Sequence, residues 1–147
     1  MSRWPILNTP AEKAGLVRWW HHAIACAAVV VLPTVLGFAV LSVINPDSPL
    51  ASTVFAEVDG ALVGMFAFFS TFSFYFSWLG LLIGVPLAIR ALKIGKAGWG
   101  AALAVGVLAG ALISAFLSMP MAVPMGASLA LIYWISLRLL VSDAFSN

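Results

Sequence analysis

The residues of this chain that can do chemistry are few, and most of them stand alone. His21 and His22 are its two histidines and Cys26 its single cysteine. Neighbouring residues on a helix point about 100° apart, so His21 and His22 cannot grip one ion together. Each can serve singly as an axial ligand to haem or chlorophyll. Each can equally sit at a membrane surface as a polar, amphipathic ring. A lone Cys26 excludes an intrachain disulfide and any Cys-x-x-Cys motif. Met65, Met119, Met121 and Met125 carry soft thioethers of the kind that suit Cu(I), and Met119-Pro120-Met121 with Met125 puts three of them in one short stretch. Methionine is also the usual filler of irregular cores.

The carboxylates Asp47, Glu57 and Asp59 fall between the first two apolar stretches. Glu57 and Asp59, two positions apart, do not share a helix face. Both histidines are expected on the opposite side of the membrane, so no Ser–His–Asp arrangement is in prospect. No Asp, Glu or Lys lies deep in an apolar segment, where proton-coupled transporters keep the group that carries the coupling. The sequence therefore indicates no catalytic residue, cofactor or metal.

Any site must be positioned by membrane-embedded elements. Of 147 residues 63% are hydrophobic and 8% charged, against about 25% charged in a soluble domain. A soluble protein this apolar would expose large patches and aggregate. A hydrocarbon core about 30 Å thick needs roughly 20 apolar helical residues. Four segments meet or approach this, at about 23–44, 61–89, 98–118 and 121–140, joined by an outer loop 45–60 and an inner loop 90–97. The second, at about 43 Å, is long enough to tilt, and Pro86 is placed to bend or end it. In the fourth, Arg138 is expected to snorkel to the interface. No Ala-x-Ala site ends the first run cleanly and Pro33 falls in its middle, so a retained helix is expected there rather than a signal peptide.

Orientation follows from the basic residues. Arg3, Lys13 and Arg18 precede the first segment, Arg90, Lys93 and Lys96 lie between the second and third, and Arg138 ends the fourth. The other two loops hold no Lys or Arg. The expected fold is thus all-α: an integral membrane four-helix bundle in a bacterial-type inner (plasma) membrane, with both termini cytoplasmic. Trp19, Trp20, Trp99 and Trp134 fall near the expected inner interface, where indoles settle. Thr9-Pro10-Ala11-Glu12 reads as a capping box that starts a short interfacial helix within 9–22, or a cytoplasmic extension of the first span. Basic residues split over three places are not a nucleic-acid footprint.

Small residues supply the strongest local pattern. Ala102, Gly106, Gly110, Ser114 and Ser118 recur every four residues. In lipid, close backbone approach replaces the hydrophobic effect in joining helices. The second segment carries two such faces. Gly60, Gly64, Ala67 and Thr71 form one, and Ser70, Ser73, Ser77, Gly80 and Gly84 the other, with Phe66 intruding. Phe68, Phe72, Tyr75 and Leu79 form a stripe suited to lipid or a partner. One domain that does its work by helix packing is expected: a non-catalytic accessory or scaffold subunit of a larger membrane complex. The alternative is a small transporter or channel component built by homo-oligomerisation.

Overall fold

The computed structural model describes residues 5–44 and 60–145. The expected outer loop, with Asp47, Glu57 and Asp59, lies outside them except for Gly60, as does Arg3. The side chains of Met65, Phe66, Phe72, Tyr75 and Leu79 also fall outside the described set.

The described residues are all-helical. A 3-10 segment, Ala11–Leu16, precedes α1 (Trp19–Ile44), α2 (Gly60–Lys93), α3 (Trp99–Leu117) and α4 (Ala122–Leu140), and a second 3-10 segment, Ser142–Phe145, follows. Three helices are long and apolar enough to cross a membrane: Trp19–Ser42 within α1, then α3 and α4. With 34 residues, α2 is about 51 Å long. It runs through Pro86 to Lys93, so that proline neither ends it nor marks its inner limit.

Helix α2 ends where a glycine allows it. Gly95 adopts φ +69°, the left-handed conformation that glycine reaches without a Cβ penalty. The Gly95 N–H then donates to Leu92 O at 3.1 Å and the Lys96 N–H to Ala91 O at 2.8 Å. These two bonds satisfy carbonyls that the helix end would otherwise orphan. Arg90 and Lys93 in the last turn complement the helix dipole.

The start of α3 has no side-chain cap. Its first donors are taken up by backbone from far away in sequence. Trp99 N–H donates to Pro5 O at 3.0 Å, Gly100 N–H to Ile6 O at 2.8 Å, and Gly98 N–H to Leu7 O at 3.1 Å. Gly98 permits this approach, since a Cβ there would overlap the Ile6 carbonyl. Thr9 closes the arm, its N–H bonded to Gly95 O at 2.8 Å and its Oγ1 accepting from Ala97 N–H at 3.1 Å. The expected capping box is therefore corrected. Pro10 stands at the N-cap of Ala11–Leu16 without a side-chain bond, and Thr9 serves the 94–98 turn instead.

The chain divides into two compact units. The first comprises Met1–Val29 and Trp78–Asn147, the second Val30–Ser77. In the first, Ala25, Val29, Leu92, Ala97, Tyr133, Trp134, Leu137, Ala144 and Phe145 form the buried core. Its α3–α4 pair touches backbone to backbone. A Cβ on Gly106 would fall on Gly126 O, one on Gly110 on Ala122 O, and one on Gly126 on Gly106 O. The small ridge of α3 thus receives a helix of its own chain. Leu108, Leu112 and Phe116, at 65, 59 and 85% exposure, face outward on the opposite side of α3, as lipid-facing side chains do. Ser118, at φ 53°, closes α3 ahead of the Met119–Met121 turn.

In the second unit, α1 and α2 meet at Gly37. A Cβ there would stand 2.5 Å from Thr71 N and 2.9 Å from Ala67 O. Thr34 Oγ1 donates to Val30 O at 2.8 Å, directly beside the interruption that Pro33 makes in the α1 ladder.

Candidate functional site

The site grows from the first turn of α1. Arg18 precedes that helix, and His21 sits at its third position. Arg18 N–H donates to His21 Nδ1 at 2.9 Å, while His21 N–H donates to Arg18 O at 3.0 Å. The imidazole thus makes the return half of a capping box, the bond that Glu or Gln usually supplies to the N-cap N–H. His21 is therefore a helix cap, its ring tilted by 40° against that of Trp20 with centroids 3.5 Å apart.

His22 points elsewhere, as the helical step requires. It is nine-tenths buried, and its Nδ1 lies 2.5 Å from the Tyr133 hydroxyl of α4. The two rings stack at 6.2 Å between centroids. Among the described residues His22 is the hydrogen-bond partner given to that buried phenol. The bond engages Nδ1 and leaves Nε2 as the ring nitrogen free for a ligand.

His22 also lines a cavity of about 260 Å³. Ala14, Gly15 and Val17 wall one side, and Ile89, Leu92 and Lys93 of α2 the other. Its polar side chains, His22 and Lys93, can both donate hydrogen bonds. Cys26, one turn beyond His22, is a half-buried free thiol packed on the core.

Trp134 anchors the scaffold beside this cavity. Its Nε1–H donates to Ala97 O at 2.6 Å, and its ring meets Phe145 edge-on at 5.8 Å. The Arg138 guanidinium lies 5.7 Å from the same ring, and its Nη1 donates to Phe145 O at 3.4 Å. Two expectations are corrected here. Trp134 is core rather than an interfacial anchor, and Arg138, 6% exposed, does not snorkel. The 3-10 turn Ser142–Phe145 folds back and supplies both groups with partners inside the protein.

The other residues singled out in sequence are scattered. Met119, Met121 and Met125 are half-buried around the α3–α4 turn, whereas the Met65 side chain lies outside the described set. Groups of three or more His, Cys, Asp or Glu placed to hold a metal are absent among the described residues. Gly106 and Gly110 are buried at the α4 contact, and Ala102 packs on the core. Ser114 lends its carbonyl to the end of α3, accepting from Met119 N–H at 3.3 Å. Ser73 and Ser77 are fully buried. The Ser77 hydroxyl donates to Ser73 O at 2.6 Å, and the Ser73 hydroxyl lies 3.4 Å from that of Thr34. Gly64, Gly80 and Gly84 have nothing within 4 Å in their own units, and the side of Gly60 lies outside the described set.

Five contributing residues were not singled out from the sequence. Ala122, Gly126 and Ala130 keep the same four-residue spacing as the α3 ridge, a signal that was legible. Gly37, alone among large residues, carried no such pattern. Tyr133 gave no signal at all, because its meaning lies in a partner 111 positions away. Comparison with protein families, curated proteins and solved structures returns no match to this chain.

Proposed function

We propose that this protein is a non-catalytic accessory or scaffold subunit of a larger inner-membrane complex, engaging its partner by helix packing. All four helices cross the membrane in this reading, with both termini and the 94–98 turn in the cytoplasm. The absence of Lys and Arg from the other two loops supports that orientation. So does the gathering of the Pro5–Thr9 arm, the 94–98 turn and the Ser142–Phe145 segment around Trp134.

The observation that carries the reading is a contrast between glycines. Those of α3 and α4 are filled by each other's backbone, while Gly80 and Gly84 of α2 open onto space within their unit. They share a face with Ile83 and Leu87, both exposed large side chains. Notches flanked by ridges are what a second transmembrane helix fits. Isolation from native membranes in mild detergent, with mass spectrometry and native sizing, tests this. A stoichiometric larger membrane partner is expected. A pure homo-oligomer that conducts or transports in liposomes would favour the alternative, a small transporter or channel component. The buried, hydrogen-bonded hydroxyls of Ser73 and Ser77 give that alternative little polar surface to work with.

A further inference from the structure

We propose that the cavity between the Ala11–Leu16 segment, α1 and α2 holds the phosphate of an anionic lipid headgroup, with His22 Nε2–H and the Lys93 ammonium as its donors. Three observations converge. First, Tyr133 takes the Nδ1 side of a nine-tenths-buried imidazole. This leaves Nε2 as the ring nitrogen without a partner among the described residues, on a residue that lines the cavity. Second, both polar side chains of the lining, His22 and Lys93, can donate, and one is cationic, so an oxygen-rich anion complements them. The amino end of α1 adds attraction of the same sign. Third, Ala14, Val17, Ile89 and Leu92 make the remaining wall apolar. A free anion gains nothing from such a wall, whereas a glycerol backbone and the start of an acyl chain do. At about 260 Å³ the cavity is slightly smaller than sites for drug-sized ligands, roughly 300–1,000 Å³. It suits a headgroup whose chains remain outside.

The test uses the full chain in phosphatidylcholine nanodiscs, with nitrogen NMR of the His22 imidazole as readout. Short-chain phosphatidylglycerol and inorganic phosphate are titrated separately. Phosphatidylglycerol is expected to shift the Nε2–H signal in a saturable, one-site manner. Lys93→Gln, at an exposed position, should weaken that binding roughly tenfold, as loss of one charge-assisted contact predicts. Arg90→Gln removes the same charge from α2 outside the lining and should leave it unchanged. Inorganic phosphate binding as tightly as the lipid would keep a phosphate site but overturn the lipid as its source. An unsaturable His22 response, or equal weakening by both substitutions, would overturn the site altogether.

Discussion

Two histidines side by side have unrelated jobs because a helix turns 100° between them. His21 closes the end of α1, and His22 is tied to Tyr133 across the core. Replacing Tyr133 by Phe removes the phenol and leaves Nδ1 unpaired in a buried place. An unmet buried acceptor costs about 1–3 kcal/mol. Tyr133→Phe should therefore lower the unfolding temperature in detergent and shift the His22 imidazole nitrogen signals. Both changes can be read, one by a thermal melt and the other by nitrogen NMR. Unaltered imidazole signals would mean that Tyr133 does not direct the ring. Trp134 and Arg138 teach the same lesson. Their types are those of interfacial anchors, yet Ala97 O and Phe145 O give their donors partners inside the protein.

At the scale of elements, the decisive quantity is how closely two backbones approach. Gly110→Leu would drive a side chain into the Ala122 carbonyl and Val123 Cα of α4. Overpacking typically costs about 1–3 kcal/mol, and more when the obstacle is backbone. Marked loss of detergent stability is expected, and normal stability would remove the α3–α4 contact from the fold. Gly84→Leu makes the opposite case. Open space surrounds that glycine within its unit, and leucine favours helix by roughly 1 kcal/mol. The variant should keep its unfolding temperature while losing its membrane partner on purification. If both the fold and the partnership survive, the α2 face is not the docking surface. The arm Pro5–Thr9 belongs to this scale too, because it supplies acceptors that α3 cannot find in its own first turn.

At the scale of the whole molecule, charge placement is the guide. Lys and Arg cluster before α1, between α2 and α3, and near the end of α4. A phosphatase reporter fused at the C-terminus, active only outside the cytoplasm, should be silent, and activity there would reverse the proposed orientation. Within the first unit, the termini-proximal segments and the α2–α3 turn share one buried core, and the cavity lies among them.

How much of this was legible in the chain depends on the range of the interaction responsible. Helices near the four expected segments follow from local apolarity, and three of them are long and apolar enough to cross a membrane. The α3 ridge was readable because a four-residue repeat is a local pattern, and so was the matching Ala122-Gly126-Ala130 series. Pro86 does not end α2, because a long helix can continue past one missing donor. Thr9 misled because its hydroxyl had two possible employers, the helix beginning beside it and the turn at Ala97, and only folding brings the second within reach. By itself, then, the sequence determined the helical segments, their small and apolar faces, and a basic-residue bias that argues for one orientation. These are properties of short windows. Tertiary structure alone decided that α3 packs on α4, that Arg138 and Trp134 turn inward, and that Tyr133 meets His22 beside a donor-lined cavity. Each of those joins residues distant in the chain, and their physical meaning arises only on contact.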